Sequence, residues 1–145
     1  MNEGPENWFL EQPRGRETIL FVEDEEPLRT VVGDFLSQLG YRVLSASNGK
    51  DALSVAAACP DPIDLLLTDV RMPEMSGPEL AQSIQPTRPT MKVIYISGFA
   101  EPILAPYGVL KAGTILLQKP FSIKVLSTKL REVLEDRHSQ GKGQS

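Results

Sequence analysis

The chain has 145 residues, a formal net charge of -4, 41% hydrophobic residues and 23% charged residues, ordinary figures for one soluble globular domain with one core. The acidic balance argues against a general nucleic-acid binder, and no apolar run approaches the roughly 20 residues that span a bilayer. Cys59 is the single cysteine and has no internal disulfide partner, so a reducing, cytoplasmic setting without membrane contact is expected.

Met1 to Arg16 is polar, carries Pro5, Pro13 and Gly15, and lacks the basic start and apolar centre of a signal peptide. It reads as a flexible segment or linker, with Trp8-Phe9-Leu10 as its apolar cluster. Thr18 to Val22 is a β-rich apolar run that ends in Glu23-Asp24-Glu25-Glu26. Pro27 then opens a helix where a missing N–H does no harm. Leu28, Val31, Val32, Phe35, Leu36 and Leu39 recur at spacings of three and four, predicting its buried face, and Gly40 stops it. A second strand over Tyr41 to Ala46 leads to Asn48, an N-cap for a small-residue helix with Ala52, Leu53, Val55 and Ala56 on its face. Cys59 falls in the last turn of that helix and reads as core filler.

After Pro60-Asp61-Pro62 comes Leu65-Leu66-Leu67-Thr68-Asp69, a short run of the kind buried on both faces of a parallel sheet. A third helix is predicted from Gly77-Pro78 through Ile84, and a fourth strand from Met91 to Ile96, closing on Ser97-Gly98. Phe99 to Leu110 holds Pro102 and Pro106, which leave room for an irregular fourth helix. Gly113 to Leu117 is the fifth strand, followed by Gln118-Lys119-Pro120-Phe121. Ser122 caps a last helix with Val125, Leu126, Leu130, Val133 and Leu134 at helical spacing, and His138 to Ser145 is a polar tail. Domain bounds follow as 1–16 linker, 17–137 folded domain and 138–145 flexible tail.

Strands alternating with helices five times imply an α/β fold, a doubly wound parallel sheet of (βα)5 type. Five strands in this length favour the flavodoxin-like order 2-1-3-4-5, with strands one and three adjacent at the switch point. Glu23 and Asp24 then stand beside Asp69, and Ser97 and Lys119 lie on the strands to its other side. Three carboxylates at one sheet edge repel one another and call for a cation. Hard oxygen ligands in a partly open site suit Mg2+. Asp69 can act as a nucleophile toward a phosphoryl group, which Lys119 and Ser97 would bind through charge and a hydroxyl donor.

Four stretches, ILFVEDEEPLR, DLLLTDVRMPEMSGPEL, YISG and LLQKPF, together resemble the receiver domain of two-component response regulators, over about Glu17 to Arg137. The resemblance implies Asp69 as phosphoacceptor, Asp24 as direct Mg2+ ligand, Glu23 as the second acid of the pair, and the backbone carbonyl of Arg71 as a further ligand. It implies Ser97 and Lys119 as the groups that hold the phosphoryl moiety. The partner would be a histidine kinase or a histidine phosphotransfer protein, and self-phosphotransfer and dephosphorylation would be the chemistry; a homodimer stays open. Arg71 and Phe99 border the site in this family. Leu117 stands where many receivers carry a switch aromatic, and Tyr107 is a substitute on that face. GVLKAGTILLQKPF resembles receivers at the C-terminus of hybrid histidine kinases, with a free-standing single-domain regulator as the other option. Three alternatives remain open: a phosphorylation-independent pseudo-receiver that binds proteins, a flavin-binding flavodoxin-like domain, which would need a phosphate-cradling loop where the first acids lie, and an acid-rich Mg2+-dependent phosphatase.

Overall fold

The computed structural model describes residues 14–98 and 115–143, with side chains to residue 135. Trp8-Phe9-Leu10, Phe99, Tyr107 and the expected fourth helix lie outside the described residues.

Five strands make one sheet: β1 (Thr18–Val22), β2 (Arg42–Ala46), β3 (Leu65–Asp69), β4 (Lys92–Ser97) and β5 (Ile115–Gln118). All neighbours pair in parallel, in the order β2-β1-β3-β4-β5, the doubly wound order expected from the alternation of strand and helix. Four helices pack on it among the described residues: α1 (Glu26–Gln38), α2 (Gly49–Ala58), α3 (Gly77–Ile84) and α4 (Ile123–Gly143). The last of these runs past Arg137 into the stretch read as a polar tail, because no proline or turn pair interrupts it before Gly141.

The side-chain alternation of the central strands divides the core in two. Ile19, Phe21, Leu65, Leu67, Ile94 and Ile96 face α1 and α4, where Val32, Leu36, Leu126 and Leu130 meet them. Leu20, Val22, Leu66 and Tyr95 face α2 and α3, where Ala52, Ala56, Leu80 and Ile84 meet them. β1 and β3 are buried along their whole length, which is why both read as unbroken apolar runs rather than as alternating ones. The small residues of α2 let it approach the sheet and α3 closely.

Two predicted core positions turn outward. Val31 is 51% exposed and Val125 is 48% exposed; each flanks its helix's apolar stripe, and one sheet face receives only the middle of such a stripe. Cys59 is the residue after α2, partly exposed, with its thiol directed at the Asp61 carbonyl at 3.5 Å. Helix starts follow local chemistry. Asn48 Oδ1 accepts from the Asp51 N–H at 2.7 Å, and Ser122 Oγ accepts from the Val125 N–H at 3.0 Å. At α3 a reciprocal box forms: Ser76 Oγ accepts from the Glu79 N–H at 3.2 Å, while Glu79 accepts from the Ser76 N–H at 2.9 Å. Gly40 ends α1 with φ +104, a left-handed conformation that a side chain would strain.

Candidate functional site

β1 and β3 are hydrogen-bonded neighbours with Val22 opposite Thr68, so the residues that follow each strand emerge together at the carboxyl edge. One carboxylate oxygen from each of Glu23, Asp24 and Asp69 lies within 4.8 Å of the others. Glu23 is fully buried and Asp69 is 4% exposed, while Asp24 opens to solvent. From the end of β5, Lys119 Nζ comes to 3.3 Å from Glu23 Oε1, 3.4 Å from Asp69 Oδ1 and 3.9 Å from Glu25 Oε1. Glu25, which precedes α1, thus also faces the lysine. Ser97 is buried at the end of β4, beside β3, and its carbonyl accepts from the Lys119 N–H at 2.9 Å. The Lys119–Pro120 peptide is cis.

Of the residues singled out from sequence, Glu23, Asp24, Asp69 and Lys119 therefore converge, with Ser97 on the adjoining strand end. Arg71 follows two residues after Asp69, in the loop to α3, with its side chain exposed. Leu117 is 4% exposed and packs in the core against the α1 and α4 side, whereas Leu116 is 39% exposed. Strand alternation makes Leu116, not Leu117, the outward-facing position of β5. Both are leucine, so no aromatic stands at either.

The electrostatics are unbalanced. Burial pushes the Asp69 carboxyl up to about 8; the Glu23 charge adds to the rise and Lys119 opposes it. Burial works against the Lys119 ammonium, but Asp69 and Glu23 outweigh it and hold its pKa above the ordinary lysine value. Among the described residues, Glu23 Oε1, which meets Lys119 as an ion pair, and Asp69 Oδ2 are buried without a hydrogen-bond partner. A buried carboxylate oxygen without a partner costs free energy that a cation would recover. A clustered, all-oxygen donor set, one member of it open to solvent, fits a small hard divalent ion such as Mg2+.

Several contacts that shape the site escaped the sequence reading. A Cβ at Gly77 would run into the Asp69 carbonyl oxygen, so only glycine lets α3 start this close to the end of β3. The Gly77 N–H also donates to the Val70 carbonyl at 2.9 Å. The Thr68 hydroxyl donates to the Asp69 carbonyl at 3.1 Å, and Met75 fills the space above Gly49 at the start of α2. Ser76 and Glu79 stand in the S-x-x-E spacing that announces a capping box, a signal present in the sequence and overlooked. The contact at Gly77 has no such signal, because it depends on how α3 meets β3.

The family model for the response regulator receiver domain matches residues 19–131. The sensor kinase CckA of Brucella abortus is 39% identical over 121 residues, 83% of this chain and 13% of that kinase, so the chain spans about an eighth of that relative's length. The response regulator receiver protein CpdR of Brucella abortus is 34% identical over 116 residues, 80% of this chain and 95% of that protein. Among solved structures, the receiver domain from the hybrid histidine kinase CckA superposes with a TM-score of 0.68 at 36% identity, covering 81% of this chain and 98% of that one. The response regulator receiver protein from Sinorhizobium medicae WSM419 superposes with a TM-score of 0.72 at 31% identity, covering 84% and 97%. With the strand order, the clustered acids and the strand-end lysine all in one place, the chain belongs to the receiver domains of two-component response regulators.

Proposed function

We propose that this receiver domain accepts a phosphoryl group on Asp69 from the phosphohistidine of a histidine kinase or histidine phosphotransfer protein, with Mg2+ as cofactor. The observation that carries the reading is the state of Asp69: a buried carboxylate with Lys119 Nζ 3.4 Å from Oδ1, while Oδ2 has no hydrogen-bond partner among the described residues. One oxygen is held by a fixed cation and the other is available to react.

Glu23, Asp24, Asp69 and the backbone carbonyl of Arg71 would hold the metal, which when bound supplies positive charge against the acids and the incoming phosphoryl oxygens. An oxygen of Asp69 forms the new O–P bond as the P–N bond to the donor imidazole breaks, and the imidazole nitrogen keeps the electron pair. Lys119 meets a phosphoryl oxygen as a compact point charge. The Ser97 hydroxyl closes on another. Hydrolysis later returns inorganic phosphate and the free carboxylate. The setting is cytoplasmic; among the described residues no helix is long and apolar enough to cross a membrane.

An intact-mass spectrum after incubation with acetyl phosphate and Mg2+ tests this, with Asp69→Asn in parallel. A single phosphoryl adduct on the wild type and none on the variant is expected. An adduct on Asp69→Asn would move the acceptor elsewhere. No adduct on the wild type, from acetyl phosphate or from a phosphohistidine donor, would overturn the reading in favour of a phosphorylation-independent binding module.

A further inference from the structure

We infer that Arg29, one turn into α1, is a positioning residue for the acid pair, an inference that rests on the Mg2+-dependent reading above. β1 ends at Val22, so Glu23 and Asp24 leave the sheet with irregular backbone, and bonds other than strand pairing must aim their carboxylates. Three such bonds meet at Glu23. Its N–H donates to the Ala46 carbonyl at 3.1 Å, a last rung toward β2. Its Oε2 accepts from the Glu25 N–H at 3.1 Å, which leaves Oε1 facing Lys119. Its carbonyl oxygen accepts from Arg29 Nη1 at 2.7 Å.

The third bond has the widest reach. The Glu23 carbonyl belongs to the planar peptide unit that joins Glu23 to Asp24. A guanidinium that fixes this plane fixes the direction in which both acids leave the chain. α1 opens without a side-chain cap from Glu25, and the Arg29 N–H donates to the Glu25 carbonyl at 2.9 Å. Arg29 therefore grips the loop twice, by backbone and by side chain, and the charge-assisted side-chain bond is the stronger kind. Sequence separation shows why one turn of helix suffices: the six residues from Glu23 to Arg29 fold back so that the guanidinium covers the first of the acids.

A purely electrostatic role makes the opposite forecast. A positive charge beside a divalent-cation site repels the ion, so its removal would tighten binding. Calorimetric titration of the full chain with Mg2+ alone separates the two. Arg29→Met and Arg29→Gln are each expected to bind Mg2+ roughly tenfold more weakly, the usual scale for residues that orient metal ligands. Arg29→Lys, which keeps a cationic donor, is expected to recover most of that loss. In phosphorylation by acetyl phosphate, the shift should fall on the half-saturating Mg2+ concentration more than on the rate at saturation. Unchanged or tighter Mg2+ binding in either neutral variant overturns the inference. Wild-type protein that binds no Mg2+ would instead sink the metal reading of the site, a distinct failure.

Discussion

At the amino end of the sheet, Arg131 of α4 donates to both carboxylate oxygens of Glu17 at 2.8 and 3.2 Å, to the Tyr41 hydroxyl at 3.2 Å and to Glu135 at 3.0 Å. At the carboxyl end, among the described residues, one lysine faces three carboxylates at 3.3 to 3.9 Å, and two buried acid oxygens have no hydrogen-bond partner. Both ends bury charge, yet only the first satisfies it. In the Glu17 cluster a forked guanidinium matches a forked carboxylate, and Gly15 packs so close to Arg131 and Tyr41 that a side chain there would displace them. That end is structural, a clasp between the start of β1 and the last helix. The other end, among the described residues, sets three acids of one cluster and Glu25 against a single lysine, an imbalance common at sites that bind ligand.

The contrast can be broken from either side. Arg131→Met should destabilise the fold by about 2 kcal/mol, since it leaves Glu17 and Tyr41 partly buried without their shared donor; chemical denaturation measures it, and a change near zero would make the clasp ornamental. Asp69→Asn should act in the other direction in metal-free protein, raising stability by roughly 1–2 kcal/mol because it removes a charge that burial disfavours and that Glu23 repels. The sign follows from proton binding: the folded state holds the Asp69 proton up to about 8, whereas an ordinary aspartate loses it near 3.8. Stability of metal-free wild type should therefore fall as pH rises through that window, and the variant should lose the slope. Thermal melts at several pH values in chelator decide it.

Mg2+ sharpens the same comparison. At ten times its dissociation constant it should stabilise the wild type by about 1.4 kcal/mol, and it should stabilise Arg131→Met by the same amount, because the proposed metal site lies at the other end. The smallest effect concerns acid. Burial alone would raise the Glu17 carboxyl, but the Arg131 hydrogen bond, backbone N–H groups and the Arg131 charge together hold it below its ordinary value. Its contribution is complete above that ordinary value and is lost as pH falls through the lowered one, so Arg131→Met should flatten the acid limb of the stability curve.

Much of the fold was legible before any coordinates. The unbroken apolar runs at Thr18 to Val22 and Leu65 to Leu67, the helical spacing from Leu28 to Leu39, and the Asn48 and Ser122 caps are local signals, and local physics reads them correctly. Even the convergence of Glu23, Asp24, Asp69 and Lys119 followed from strand order, since parallel strands bring their carboxyl ends to one edge. What failed to read was of another kind. Val31 and Val125 fit the apolar period but lie at its margins, and only the packed sheet decides how wide a stripe is covered. Leu116 and Leu117 are adjacent identical residues, and register alone turns one out and one in.

The sequence by itself determined the alternation of strand and helix, the strand-end acids and the lysine, because these depend on short-range periodicity and on residue type. Only the tertiary structure decided which acid oxygens have no hydrogen-bond partner among the described residues, that a glycine at position 77 is required against the Asp69 carbonyl, that Arg29 reaches back to Glu23, and that Arg131 closes on Glu17 from 114 residues away. Each of those is a distance between atoms whose separation along the chain carries no periodic signal, and such distances exist only once the two core layers have packed.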